Sequence, residues 1–311
     1  MIRRVVLALA AWGACLAGAA CAAPAAALSG SLTCVGSDTA SGLVARWAAA
    51  FHARHPKVRL QLQAPGSASA PTALVEGAAD LGSMSRPMTA AEEALFRSRY
   101  GYAPWHLVVA HDAVVAFVHP DNPLARISVP ELDAIYSQDR RCGAAQAIRR
   151  WRDLPGIGAG FDLPLLATGR NGGSGTYETF REGALCGGEY RADVIAWPGN
   201  GAVVATVAAH REAIGYAGIG YVNGLVKPLA LAAAADSPAV LPDLDSVTQG
   251  RYPLSRALHV YVNRPPQRAL AELPRAFLEY ALSDEGQAEV RREGFLPLRA
   301  DERATQRALL Q

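Results

Sequence analysis

Aromatic residues make up only 7% of this 311-residue chain, and cysteine (five) and methionine (three) are scarce. No C-x-x-C pair occurs, and His52, His55, His106 and His111 lack a second ligand set at metal-binding spacing. Neither a zinc site nor a redox dithiol is therefore expected, and no cofactor. An excess of charge of one sign is missing too: 30 Lys and Arg face 28 Asp and Glu, a formal net of +2. That balance excludes a broad positive field, and with it nucleic acid as a partner. Any anion site has to be local and preorganised. There is no charge run, and no internal repeat is apparent.

The apolar run at the start reads as an export signal. Arg3 and Arg4 form a basic n-region, residues 5–16 a short apolar core, and Ala19-Ala20-Cys21-Ala22-Ala23 offers A-x-A cleavage choices. The run is broken by Gly13 and Gly18 and followed by polar sequence, which argues against a retained spanning helix. Residues 1–23 are thus expected to be a signal peptide and the mature chain to be periplasmic. Cys21 raises the alternative of a lipid anchor. Export permits a disulfide, and the mature chain keeps Cys34, Cys142 and Cys186. Cys142 and Cys186, in polar Gly-flanked stretches, are the expected pair; Cys34, in an apolar strand-like run, reads as buried.

Strand and helix patterns alternate along the rest. Residues 32–35 are a short apolar run, after which Leu43, Val44, Trp47, Ala48 and Phe51 recur at helical spacing. Val58, Leu60 and Leu62 alternate as in a strand. Further strands are expected at 79–82, 105–110 and 113–118, with helices at 72–76 and 92–99 between them. Ser128 followed by Pro130 opens a helix. Strands at 163–167, 194–197, 214–217 and 258–262 and helices at 176–185, 203–209 and 268–282 complete the pattern, with one more helix after Ser283. This rhythm predicts an α/β fold with a largely parallel sheet.

Three polar segments each follow a strand and open a helix: Gly36-Ser37-Asp38-Thr39, Gly66-Ser67-Ala68-Ser69 and Gly172-Gly173-Ser174-Gly175-Thr176. Helix starts expose free N–H groups and the positive end of the dipole, so they bind anions without a formal charge. Ser, Thr and Asp are also ordinary helix caps, so each segment has a plainer reading. Three at strand ends suggest a shared cleft. Arg170, four residues before Ser174, could fork onto two oxygens of a tetrahedral anion or bridge a surface carboxylate.

These segments, with Pro65-Gly66-Ser67, Ala79-Asp80-Leu81-Gly82-Ser83-Met84-Ser85-Arg86-Pro87, Gly169-Arg170-Asn171, Ala213-Ile214-Gly215-Tyr216, Arg251-Tyr252-Pro253-Leu254 and Gly294-Phe295-Leu296-Pro297-Leu298, resemble the periplasmic phosphate-binding proteins of ABC-type phosphate importers. The resemblance runs in order over nearly all of the mature chain. It implies a two-lobed periplasmic-binding-protein fold of type II, with two crossover strands near 110–115 and 255–260 as the hinge. Lobe 1 would be 24–112 plus 257–311, and lobe 2 would be 113–256. It also implies inorganic phosphate as ligand, an ABC-transporter permease as partner, and a monomer. Carried over, Ser37, Asp38, Thr39 and Ser67 would meet the anion from lobe 1, and Arg170, Ser174, Gly175 and Thr176 from lobe 2.

Two departures stand out. The family's proton-accepting aspartate falls at Ser85, followed by Arg86, and the aspartate that partners the arginine falls at Gly172. Asp38 is the candidate to accept the ligand's proton, with Ser85 or Arg86 adding donors; the alternative is that Asp38 caps the following helix. Rival functions are binding of another oxyanion (sulfate, molybdate or tungstate) and hydrolysis by Ser174. The latter lacks G-x-S-x-G, since Thr176 takes the last place, and a binding protein rather than an enzyme is expected.

Overall fold

The computed structural model describes residues 28–311. The expected signal peptide and Cys21 lie outside them. In chain order the first elements are β1 (Gly30–Gly36), α1 (Ser41–Arg54), β2 (Val58–Gln63), α2 (Ser69–Val75), β3 (Leu81–Met84), α3 (Ala90–Tyr100) and β4 (Trp105–Val118). Then come β5 (Arg126–Ser128), α4 (Val129–Tyr136), β6 (Leu166–Arg170), α5 (Gly175–Ala184), β7 (Ile195–Trp197), α6 (Asn200–Ala209) and β8 (Ala213–Gly218). The last are β9 (Lys227–Pro228), β10 (Ala230–Ala232), α7 (Leu244–Thr248), β11 (Ser255–Val262), α8 (Glu272–Ala281), α9 (Asp284–Arg292) and α10 (Ala300–Ala308).

Local chemistry explains several boundaries. Thr89 with Glu92 and Ser128 with Glu131 form capping boxes at α3 and α4, each satisfying two backbone donors at the helix start. Asp284 and Glu285 sit in the first turn of α9, where the helix dipole favours them. The helix α10 had no counterpart in the sequence reading.

The main sheet runs β2-β1-β3-β11-β4-β8-β6-β7. It is less parallel than expected. β1 is parallel to β2 and β3, and β6 to β7 and β8, but β11 is antiparallel to β3 and β4, and β4 to β8. The two strand runs expected at 105–110 and 113–118 are one strand, β4. Its first part pairs with β11 as far as Ala113, and its remainder pairs with β8 from Val114 on. One strand therefore belongs to two cores.

Those cores define two lobes. In lobe 1, Leu32, Trp47, Phe51, Val109, Val260, Phe277 and Leu278 pack together, and Leu74, Phe96 and Tyr261 form a second cluster under α2 and α3. In lobe 2, Val114, Ile135, Trp151, Phe180, Tyr216 and Tyr252 form the core, with Phe117, Val203, Val204 and Val207 beside it. Buried indoles find acceptors on Gly286 O and Glu212 O, so Trp47 and Trp151 leave no polar atom unpaired. Cys142 and Cys186 are joined within lobe 2, their Cα atoms 5.4 Å apart, and Cys34 is buried in β1. Among the described residues no helix is long and apolar enough to cross a membrane.

Candidate functional site

Where β1, β2, β3 and β6 end, their loops meet between the lobes. The loop after β1 carries Ser37, Asp38 and Thr39; Ser37 and Thr39 are fully buried. Asp38 does not cap α1. That helix is preceded by Ala40, which makes no side-chain cap. The Asp38 carboxylate instead reaches across to lobe 2, with Oδ2 2.8 Å from Nη2 of Arg170.

Arg170 ends β6, and its side chain has no exposure. Nη2 also donates to Pro198 O at 2.8 Å, and Nε to Trp197 O at 3.3 Å. A buried guanidinium is costly unless paired and hydrogen-bonded, and these contacts satisfy most of it. Two atoms are left over. Arg170 Nη1 and Asp38 Oδ1 are buried and have no hydrogen-bond partner. One is a charged donor and the other a charged acceptor, on the two members of one ion pair.

Hydroxyls surround them. Thr39 Oγ1 and Thr176 Oγ1 stand 2.9 Å apart across the cleft. Ser67 Oγ accepts from the Ser85 amide at 3.1 Å and lies 3.2 Å from Ser85 Oγ. Gly175 lies against both serines: a Cβ there would be 2.6 Å from Ser67 Oγ and from Ser85 Oγ. Gly66, at φ +132°, is equally constrained, because a Cβ would be 2.3 Å from Gly173 O. The backbone of one lobe thus touches that of the other, and Ala68 N donates to Gly173 O at 3.2 Å.

Ser174 is the cap of α5, its Oγ accepting the Thr176 amide at 3.1 Å. Ser37 plays a similar part, Oγ accepting from the Ala40 amide at 3.3 Å. Arg86 does not join the cluster. Its Nη1 and Nη2 fork onto Glu92, both at 2.7 Å, so its charge is spent on the start of α3. With Met88, Glu178, Arg256 and His259 it lines a groove of about 820 Å³.

Three participants were not singled out in the sequence. Asn200, fully buried at the start of α6, donates through Nδ2 to Asp38 Oδ2 and to Thr39 Oγ1, each at 3.0 Å. Tyr221 donates its hydroxyl to Asp38 O at 2.9 Å, and burial pushes its pKa up, keeping it a neutral donor. Arg256 donates through Nη2 to Thr176 Oγ1 at 2.9 Å. Beneath Arg170, Tyr216 OH accepts the Arg170 amide at 3.2 Å; burial raises its pKa too. Among the described residues no group of three or more His, Cys, Asp or Glu could hold a metal. The donors of the cluster are largely paired within it, and its ion pair keeps one free charged donor, Arg170 Nη1, and one free charged acceptor, Asp38 Oδ1.

Comparison with known proteins bears on the fold and the family. The model of the PBP superfamily domain matches residues 22–285. The phosphate-binding protein PstS of Pseudomonas aeruginosa is 43% identical over 273 residues, 88% of this chain and 84% of that one. The PstS of Bacillus subtilis is 30% identical, covering 87% of this chain and 81% of its own. Among solved structures, an ABC-type phosphate transport receptor from Vibrio cholerae aligns with a TM-score of 0.66 at 20% identity, over 86% of this chain and all (100%) of that one. A phosphate-binding protein from Stenotrophomonas maltophilia aligns with a TM-score of 0.65 at 15% identity, over 90% and 93%. At such identities the structures speak for the fold, which is the α/β, two-lobed one.

Proposed function

From the premise that this chain belongs to the PBP superfamily, in the family of the PstS phosphate-binding proteins, we propose that it captures inorganic phosphate between its lobes for delivery to an ABC importer. One observation carries the reading. Arg170 Nη1 and Asp38 Oδ1 are buried, unpartnered and on adjoining members of an interlobe ion pair. Hydrogen phosphate offers what both lack: bare oxygens for the guanidinium and one proton for the carboxylate.

Asp38 then fills both places vacated at Ser85 and Gly172. Its Oδ2 partners the arginine and its Oδ1 accepts the ligand's proton. Sulfate carries no proton near neutral pH and would press an oxygen lone pair against Oδ1, so the same atom rejects it. Thr39, Ser67, Ser85, Gly175 and Thr176 supply the remaining donors; Ser37 and Ser174 hold the loops. Lobe 1 comprises 24–112 plus 257–311 and lobe 2 comprises 113–256, with β4 and β11 as the hinge. The anion bridges the lobes and favours closure, since only the closed form presents donors from both. The protein works as a periplasmic monomer that docks its closed form on a membrane permease, and it is not an enzyme: Ser174 Oγ is spent on its cap.

Calorimetry of the mature protein against phosphate, arsenate, sulfate and molybdate tests this. Phosphate and arsenate should bind and sulfate should bind much more weakly. A ligand at a hundred times its Kd should also add about 2.7 kcal/mol of stability. Asp38→Asn should narrow the gap between phosphate and sulfate by roughly tenfold, the worth of one hydrogen bond to a charged group. Tighter binding of sulfate or molybdate than of phosphate by the wild type would refute the reading, and an unchanged preference in Asp38→Asn would take the selectivity role from Asp38.

A further inference from the structure

Arginine and a carboxylate commonly meet as a fork, two N–H groups on two oxygens. This chain forms such forks where nothing intervenes. Arg86 forks onto Glu92 with both bonds at 2.7 Å, and Arg191 onto Asp193 at 2.6 and 2.8 Å. The interlobe pair of Arg170 and Asp38 does not. Only Nη2 and Oδ2 meet, at 2.8 Å, while Nη1 and Oδ1, the atoms that would complete a fork, are buried without partners. A carboxylate gripped by other donors loses the fork elsewhere too. Asp112 Oδ1 accepts the amides of Ala113 and Ile219 at 2.8 and 3.0 Å, and Arg256 is left with Oδ2 alone, through Nε at 2.7 Å and Nη2 at 2.6 Å.

The grip on Asp38 comes from Asn200. This residue opens α6, but Gly199 holds the cap position, so the asparagine side chain is not spent on its own helix. Its Nδ2 donates to Asp38 Oδ2 and to Thr39 Oγ1, each at 3.0 Å, and its Oδ1 accepts the Gly218 amide at 3.3 Å. Turning the amide over would set its oxygen against the Asp38 carboxylate and its NH₂ against the Gly218 N–H, so both ends fix the same orientation. Both amide hydrogens are used, and none remains for an anion. Tyr221 holds the Asp38 backbone at 2.9 Å, which leaves rotation of the carboxylate as the main freedom of this residue. The guanidinium is held from its other side by Trp197 O and Pro198 O.

We infer that Asn200 is a positioning residue that keeps the Arg170–Asp38 pair from closing into a fork, and so keeps Nη1 and Oδ1 free for the anion. This rests on the phosphate reading of the same site and extends it. Without the asparagine, the carboxylate can turn until both of its oxygens lie on the guanidinium. The fork then consumes the two atoms that the ligand needs, and the anion has to break it to bind. Asn200 acts through Asp38 and need not touch the ligand.

A cycle of variants separates this role from that of a plain contact. Phosphate Kd is measured by calorimetry for the wild type, Asn200→Leu, Arg170→Lys and the combination of the two. Leucine keeps the volume and removes both donors. Asn200→Leu should weaken phosphate about tenfold, the scale of one hydrogen bond to a charged group. Lysine keeps the charge at position 170 but lacks the planar pair of donors that a fork requires. In the Arg170→Lys background the same leucine exchange should therefore cost threefold at most, by rough count. The hydrogen bond from Asn200 to Asp38 is available in both backgrounds. An equal loss in the two would make Asn200 an ordinary contact between the lobes and overturn the inference, as would an unchanged Kd in Asn200→Leu alone. Should the leucine variants fail to fold, Asn200→Ala gives the same comparison. A wild type that does not bind phosphate would remove the phosphate reading and this inference with it, whereas phosphate binding by the wild type with equal losses in the two backgrounds would remove the inference alone.

Discussion

The two lobes repeat one topology and fill it with opposite chemistry. In lobe 1, β1 lies between parallel β2 and β3, and antiparallel β11 follows β3; in lobe 2, β6 lies between parallel β7 and β8, and antiparallel β4 follows β8. The equivalent strand ends carry the site. After the central strand come Ser37, Asp38 and Thr39 in one lobe and the loop from Arg170 to Thr176 in the other. After the outer strand come Pro65-Gly66-Ser67 and Pro198-Gly199-Asn200. Lobe 1 contributes the carboxylate and most of the hydroxyls, lobe 2 the guanidinium and the amide. Placing the charges on opposite lobes means that each is paired only where the lobes meet. On the proposed reading, affinity for any tetrahedral anion would rest on lobe 2 and the choice among anions on lobe 1.

The sharpest way to break that division is Arg170→Met. Truncating a buried, hydrogen-bonded charge at an interface costs roughly 4 kcal/mol, about a thousandfold in Kd. The loss should be similar for phosphate, arsenate and any residual sulfate binding measured by calorimetry. A variant that lost phosphate alone would move selectivity into lobe 2 and undo the comparison. The lobes also differ in covalent support. Only lobe 2 has a disulfide among the described residues, closing a sequence separation of 44 residues. Cys142→Ser/Cys186→Ser should lower unfolding stability by roughly 3 kcal/mol while leaving phosphate Kd in the folded protein near wild type. A large change in Kd would mean that the bridge reaches the site.

Lobe 1 has a pH weakness instead. His259, on the hinge strand β11, is depressed to about pH 4, by burial first and by His106 second. The folded state therefore holds this histidine neutral, while the unfolded chain takes up its proton near pH 6.5. Below that value the unfolded state binds more protons, so stability falls with pH until about pH 4. The share due to His259 between pH 7 and pH 5 is about 2 kcal/mol. Urea midpoints at those two pH values should converge in His259→Phe. Burial lowers His106 in the same direction, which leaves a smaller slope behind.

Much of this was legible in residue patterns, and what was not had a physical reason. The strand–helix alternation and the caps at Ser128 and Ser283 could be read because they are local. The Gly-rich loops and Arg170 stood out because few structural demands call for so many glycines and hydroxyls at strand ends. The fork of Arg86 onto Glu92 was not legible, because nothing in the sequence singled Glu92 out as its partner. Asp38 was read as a proton acceptor with helix capping as the alternative; its pairing with Arg170, 132 positions along the chain, could not be seen in the sequence. Asn200 and Arg256 were invisible for the same reason, since an asparagine at a helix start and an arginine before a strand are commonplace. The repeat of the lobes was missed because its trace in sequence is one tripeptide, Pro-Gly followed by a small polar residue. That trace would have pointed to Asn200, which stands where Ser67 stands in the other lobe.

The smallest expected effect tests whether the lobes meet as closely as their loops indicate. Gly175→Ala places a methyl 2.6 Å from the two serine oxygens of lobe 1, while in lobe 2 itself it only replaces glycine in the first turn of α5. A helix gains from that exchange, so the ligand-free protein should unfold at the same urea concentration or slightly higher. Closure is another matter. Ser67 Oγ is held by the Ser85 amide and cannot swing aside freely. Overpacking of this kind costs upward of 1 kcal/mol, so phosphate binding should weaken roughly tenfold. Gly172→Ala is the control, since a Cβ there meets nothing within 4 Å. If both variants bound phosphate like the wild type, the two lobes would close on the anion without the contact between Gly175 and the serines, and the donors assigned to Ser67 and Ser85 would have to be withdrawn.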